Sequence, residues 1–274
     1  MVPPSAVAPG EHLPPRLATG RSPSAAAAAR VPRQSAHAGR TVAVVLGAGQ
    51  GTRMGAERNK VFLPLGGTPI LAHAIGAFER CLEIDDILLV AHPHELAECR
   101  DLARRYELHK VRQIVAGGAT RHASESCALA ALRGSIERGE IGLVLVHDGA
   151  RPFVTQRDLR RLLAAVRRDG AAVLATPLRP DETLADVDGS GQVAMVYPAA
   201  RLWRAQTPQA FGAAALLAAY DAAARDGFEG TDTAASLERA GHAVTIVAGS
   251  PHNVKITTPS DLARAEGLLA RWRG

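Results

Sequence analysis

The 274 residues carry 47% hydrophobic and 22% charged side chains, which excludes a fibrous or largely unfolded chain and allows one α/β domain or two smaller ones. The net charge of +5 is concentrated at the front: residues 1–40 hold Arg16, Arg21, Arg30, Arg33 and Arg40 against Glu11, a net +4, leaving +1 for the remainder. A nearly neutral remainder argues against a polyanion-binding surface, so no nucleic-acid partner is expected, and no apolar run reaches the roughly 18 residues of a membrane span.

Residues 1–40 are rich in Pro, Ala, Ser and Arg, with an unbroken Ala25–Ala29 run and no apolar periodicity. They read as a disordered extension ahead of a domain over 41–274. The segment lacks the apolar core of a signal peptide; its Arg/Ser-rich, acid-poor composition resembles a transit peptide, a solvated tail being the simpler reading. Cys81, Cys99 and Cys127 form no CxxC pair, so they read as free thiols in a reducing, cytoplasmic setting.

From Thr41 onward strands and helices alternate. Apolar runs predict strands over 42–46, 86–91, 111–115, 142–146, 171–175 and 243–248. Between and after them the pattern predicts helices over 69–80, 94–106, 121–137, 155–168, 211–225, 232–240 and 259–272. Pro69 suits a first helical turn, Thr155 an N-cap, and Gly170 and Gly241 helix stops. Strands apolar on consecutive positions are covered on both faces, which predicts a doubly wound, mostly parallel α/β sheet with ligands at the carboxyl ends of its strands. Residues 178–204 interrupt the rhythm. Two strand-like runs around Asp188-Gly-Ser-Gly191 predict an inserted β-hairpin, which is marginal alone and is therefore expected to pack on something else, such as a second subunit.

The first strand feeds Leu46-Gly-Ala-Gly-Gln-Gly-Thr-Arg-Met-Gly55 and then Asn59-Lys60. Glycines 47, 49 and 51 let backbone N–H groups approach an anion, and Arg53 and Lys60 add positive charge. A Gly-rich turn with solvated charges is the plain alternative. GxxxxGK[ST] is absent, and a dinucleotide GxGxxG fails because Thr52 and Met54 stand where glycine is required. Asp148 ends an apolar strand, where a carboxylate is costly unless it binds something. His147 beside it reads as a satisfied core histidine, and His92-Pro-His94 as a loop with too few partners for zinc.

Gly49-Gln-Gly51-Thr-Arg53-Met54 followed by Lys60 matches the GxGxRM…K loop of sugar-phosphate nucleotidylyltransferases. With Gly117-Gly118-Ala-Thr-Arg121-His-Ala-Ser124, His147-Asp-Gly-Ala-Arg-Pro152, Gln206-Thr-Pro-Gln209, Thr231-Asp232 and Asn253-Val-Lys255-Ile-Thr257 in order, residues 41–272 resemble the 2-C-methyl-D-erythritol 4-phosphate cytidylyltransferases of the non-mevalonate isoprenoid pathway. The resemblance implies a Rossmann-like nucleotidyltransferase fold with a hairpin dimerisation arm over 178–204. It implies transfer of CMP from CTP to methylerythritol phosphate, with release of pyrophosphate. By the same resemblance Arg53, Lys60 and Lys255 are catalytic, and Gly47, Ala48, Gly49, Gly51, Gly118, Ala119, Arg121, Ser124, Asp148 and Gly149 bind the nucleotide. Arg151, Thr183, Arg201, Thr207, Thr231 and Lys255 are assigned to the sugar phosphate, Mg²⁺ to Asp148, and a homodimer is expected to complete each site.

Three positions depart from the family pattern. Asn59 replaces the usual proline before the loop lysine and is expected to loosen the approach to Lys60. Ala119 replaces an acidic residue. Ala199 stands where the arm carries an arginine, and Arg201, two residues on, would lie on the same face about 7 Å away if the segment is extended. The acceptor could therefore be another polyol phosphate, such as ribitol 5-phosphate, or the chain could be a weakened nucleotide-binding paralogue.

Overall fold

A computed structural model describes residues 39–49 and 59–272. The expected extension lies outside this range except for Gly39 and Arg40, and the loop residues Gly51 and Arg53, expected in the site, lie outside it as well. In chain order the elements are β1 (Arg40–Leu46), β2 (Pro64–Leu65), β3 (Thr68–Pro69), α1 (Ile70–Glu79), β4 (Asp86–Ala91), α2 (Leu96–Arg105), β5 (Val111–Ala116), α3 (Arg121–Glu137) and β6 (Ile141–Asp148). There follow α4 (Gln156–Asp169), β7 (Ala171–Pro177), β8 (Leu184–Val187), β9 (Val193–Tyr197), β10 (Trp203–Gly212), α5 (Ala213–Arg225), α6 (Thr233–Arg239), β11 (Thr245–Ala248) and α7 (Pro259–Leu269).

Seven strands form one sheet in the order β11-β7-β10-β6-β1-β4-β5. The alternation along β1 explains its two layers, since successive side chains leave a strand on opposite faces. Ala43 and Val45 join the apolar cluster with α1, α2 and α4. Val42 and Val44 join the cluster with α3, α5 and α6. Both faces are covered, as the unbroken apolar runs require. A smaller cluster of Leu65, Ile70, Phe153, Ile256 and Ala265 seats α7 beside the β2–β3 turn.

β10 was not among the expected strands, and it is antiparallel to both neighbours, β6 and β7. Its middle is Gln206-Thr-Pro-Gln209, and a proline with polar neighbours argues against a central strand. The ladder with β7 shifts register between Ala205 and Gln209, which accommodates the missing N–H of Pro208. The helix expected from 211 therefore starts at Ala213. A second correction concerns Lys255, expected on a short strand: residues 253–257 have no regular secondary structure.

Cap chemistry at α4 is as expected. The Thr155 side chain accepts from the Asp158 N–H, and Gly170 closes the helix at φ 84°. β8 and β9 pair antiparallel as a separate two-stranded sheet. Their turn is organised by Asp188, whose carboxylate accepts from the N–H groups of Ser190 at 2.9 Å and Gln192 at 3.0 Å. Leu184, Val187, Val193, Met195, Val196 and Tyr197 of this hairpin are all exposed.

Four parallel strands end alike. The first residue past β1, β5, β6 and β11 is a glycine whose N–H extends the ladder. Gly47 donates to Val90 at 2.7 Å, while Gly117 to Ala91, Gly149 to Leu46 and Gly249 to Ala175 each span 2.8 Å. A Cβ on Gly149 would stand 2.8 Å from the Leu71 side chain and 3.0 Å from the Leu46 carbonyl. Only glycine fits there without displacing the neighbouring strand.

Candidate active site

A cleft of about 430 Å³ opens at the carboxyl ends of β1, β4, β5 and β6. Of the residues singled out from sequence, Ala48, Gly49, Lys60, Gly118, Ala119, Arg121, Ser124, Asp148 and Lys255 line it. Gly47 and Gly149 lie behind this lining, and their N–H groups are spent on the ladder. Those two N–H groups are therefore not free to face a phosphate.

Asp148 ends β6 on that floor with 7% of its surface exposed. Lys255 Nζ stands 2.9 Å from its Oδ2, Arg151 Nε 3.4 Å from the same oxygen, and Arg121 Nε 3.4 Å from Oδ1. Burial pushes this carboxyl up, but Lys255, Arg121 and Arg151 outweigh it and hold the group well below the usual carboxylate range. The carboxylate stays ionised in a place where an unpaired charge would be costly. Among the described residues no three His, Cys, Asp or Glu side chains cluster to cage a metal. Mg²⁺ commonly takes one or two carboxylates and fills its remaining positions with water and substrate phosphates. An ionised carboxylate facing the cleft is a ligand of that kind, and an ion arriving with a triphosphate would take over an oxygen that Lys255, Arg151 or Arg121 now holds.

Asp148 is held from behind. Its N–H donates to Thr207 Oγ1 at 3.0 Å, and that hydroxyl lies 3.1 Å from His147 Nδ1. The Arg151 carbonyl can only accept, so His147 Nε2 carries the ring proton and donates to it at 3.0 Å, which leaves Nδ1 of the neutral ring to accept from the Thr207 hydroxyl. Burial lowers the His147 pKa to about 4, in keeping with this neutral tautomer. His147 is thus the satisfied core histidine expected. Thr207, expected to touch the sugar phosphate, is 4% exposed and belongs to the support under Asp148.

Arg151 does not line the cleft; it donates to the Asn253 carbonyl at 2.8 Å, and burial pulls its pKa down against the influence of Asp148. Asn253, fully buried, donates to the Thr207 carbonyl at 2.8 Å. The neighbouring Ile256 N–H donates to the Ala150 carbonyl at 2.9 Å. These two anchors fix Lys255 between them. Thr231 is exposed ahead of α6, outside the cleft lining. Thr183 and Arg201 are exposed on the arm. Ala199–Arg201 is a turn of 3-10 helix, so Arg201 does not share the face of Ala199 as an extended segment would require.

Asn59 also reverses its expectation. It is 5% exposed, and its Nδ2 donates to the Gly47 carbonyl at 2.8 Å and to Glu95 at 2.9 Å. Its Oδ1 accepts from the Val61 N–H at 3.3 Å, capping the short turn that carries Lys60. The side chain pins the approach to Lys60 and does not loosen it. His92, read from sequence only as part of a loop, and Thr120, not singled out, also stand on the cleft wall. Thr120 N-caps α3 through the Ala123 N–H and donates to Glu229; a threonine before Arg121 was the available signal.

The family model for IspD, 2-C-methyl-D-erythritol 4-phosphate cytidylyltransferase, matches residues 41–271. The chain is 43% identical over 227 residues to the enzyme of that name from Halalkalibacterium halodurans, covering 83% of this chain and 96% of that one. It is 42% identical to the same-named protein of Geobacter metallireducens, again over 83% and 96% of the two chains. In structure it resembles the 2-C-methyl-D-erythritol 4-phosphate cytidylyltransferase of Thermus thermophilus, with a TM-score of 0.65, 34% identity, and 84% and 98% of the chains covered. For the 4-diphosphocytidyl-2C-methyl-D-erythritol synthase of Anaerococcus prevotii the TM-score is 0.73 at 28% identity, covering 85% and 97%. Matched by the family model over residues 41–271 and by relatives 43% and 42% identical over 83% of its length, this chain belongs to the 2-C-methyl-D-erythritol 4-phosphate cytidylyltransferase family.

Proposed function

We propose that the family's reaction, transfer of CMP from CTP to 2-C-methyl-D-erythritol 4-phosphate, runs over the Asp148 floor of this cleft. The observation carrying this reading is the convergence of Lys255, Arg121 and Arg151 on one buried, ionised carboxylate at the strand ends. A phosphate oxygen of the acceptor attacks the α-phosphorus of CTP. The bond from that phosphorus to the bridging oxygen breaks, and pyrophosphate leaves with the electron pair. The attacking phosphate is already an anion, so the protein's task is positioning and charge stabilisation.

Lys255 lies on the cleft side of Asp148 and would hold the acceptor phosphate against an anionic partner. Lys60, with Arg53 from the loop outside the described residues, would neutralise charge gathering on the α-phosphate and leaving group. Gly118, Ala119, Arg121 and Ser124 form the nucleotide wall, where the N-terminus of α3 favours anions. Asp148 would hold Mg²⁺, which when bound supplies charge neutralisation at the triphosphate.

The exposed apolar hairpin supports a homodimer in which the arm reaches a partner's cleft with Thr183 and Arg201. Three cysteines without a disulfide support a cytoplasmic enzyme. Purified protein with CTP and Mg²⁺ is tested against methylerythritol phosphate and ribitol 5-phosphate. Pyrophosphate release is expected with the first acceptor and none above background with the second, and EDTA is expected to abolish it. The reverse acceptor preference would overturn the assignment.

A further inference from the structure

Behind the nucleotide wall lies a carboxylate that the transfer does not use. Glu125, on the second turn of α3, has a side chain only 2% exposed. It accepts from the Tyr220 hydroxyl of α5, from Thr233 Oγ1 of α6 at 2.6 Å, and from Arg121 on its own helix at 2.6 Å. An Arg–Glu pair four residues apart is ordinarily a solvated pair of little consequence. Here both side chains turn inward, and the guanidinium spans Glu125 on one side and Asp148 on the other.

The anchorage is shared among three helices and a strand. Thr233 Oγ1 also lies 3.4 Å from Arg121 Nη1. Thr233 opens α6, and Gln209 of β10 fixes that helix start through Asp232 and the Ala234 N–H, each at 3.1 Å. Burial raises the Glu125 pKa against the opposing influence of Arg121, Thr233 and Tyr220. Removing Glu125 alone would leave the Arg121 guanidinium and the Tyr220 and Thr233 hydroxyls without the acceptor they share.

We propose that Glu125 is a positioning residue for the nucleotide. It keeps the Arg121 guanidinium aimed into the cleft when CTP competes with Asp148 for it, using an anchor that the ligand does not reach. The proposal rests on the reading of Arg121 as a nucleotide-binding residue.

Steady-state kinetics with CTP and methylerythritol phosphate on Glu125→Gln, Arg121→Ala and the double variant test it, with thermal melts confirming folded protein. In Glu125→Gln the KM for CTP is expected to rise about five- to tenfold while the acceptor KM changes less than about twofold. Added to Arg121→Ala, the same change should cost less than about a further twofold, because the two residues act as one unit. A CTP KM within about twofold of wild type, equal losses toward both substrates, or full multiplication in the double variant would each overturn the proposal. Should Glu125→Gln not fold, Tyr220→Phe decides: it removes one donor but leaves the ion pair, and a CTP KM raised about two- to threefold supports the proposal while an unchanged one overturns it. Unchanged CTP kinetics in Arg121→Ala would sink the nucleotide reading of Arg121 and the proposal with it. A damaged Arg121→Ala beside a healthy Glu125→Gln would sink the positioning role alone.

Discussion

Lys255 shows how a residue outside any helix or strand can be held as firmly as one inside. Asn253 and Ile256 on either side are fully buried and bonded to the backbone of β10 and of the turn after β6. Lys255→Ala should therefore remove an ammonium group without moving its segment. By comparison with the loss of one transition-state donor, kcat should fall about 10²- to 10³-fold, and circular dichroism should remain that of wild type. His147 carries a different consequence. Its folded-state pKa of about 4 lies below the roughly 6.5 of an unfolded histidine, so the unfolded chain binds the proton first. Stability from this group is full above pH 6.5 and is lost as pH falls toward 4, on the order of 3 kcal/mol in all. Urea melts at pH 7 and pH 4.5 should show that loss, and His147→Gln should flatten it. Of these residues Lys255 and Asp148 were legible because their neighbours match a family pattern. Asn59 and Glu125 were not. An Asn before Lys60 looked like a missing proline, and Glu125 was not singled out at all, because nothing in sequence separates an inward-facing Arg–Glu pair from a solvated one before tertiary packing encloses it.

At the scale of elements, strands were legible where apolar residues ran together and illegible where function had replaced them. β10 is the clear instance: Gln206, Thr207 and Gln209 are polar because they bond Ser250, Asp148, His147, Asp232 and Ala234. The side chains that build the site erase the pattern that would announce a strand. The hairpin was legible from Asp188-Gly-Ser-Gly191, whereas its service to a second subunit is proposed from exposure alone. Val193→Lys with Val196→Asp should convert a dimer to a monomer in analytical ultracentrifugation. The same change should lower kcat/KM for the acceptor by about tenfold or more with CTP binding retained; a monomeric wild type, or a dimer indifferent to both changes, would refute the arm's role. The α7 helix offers a separate stability test. Thr258 and Asp261 form a reciprocal capping box at its start, and Thr258→Ala should cost about 1 kcal/mol in denaturant melts with activity nearly intact.

Across the whole molecule, the doubly wound architecture was readable because β1, β4 and β6 are buried on both faces and must carry apolar side chains throughout. Strand order was not, because order is decided by helices crossing the sheet and by one reversed strand. The reversal of β10 between β6 and β7 places the site's supporting side chains beside the strand that ends in Asp148. The four glycines that prolong β1, β5, β6 and β11 carry this frame one step past the strands. Their amide protons are ladder protons, although three of them lie within a residue of the cleft wall. Deuterium uptake should therefore be as slow at Gly47, Gly117 and Gly149 as in mid-strand, approaching the rate set by global opening. The catalytic floor would then melt only with the protein itself, and ligand-dependent breathing would be confined to the rim.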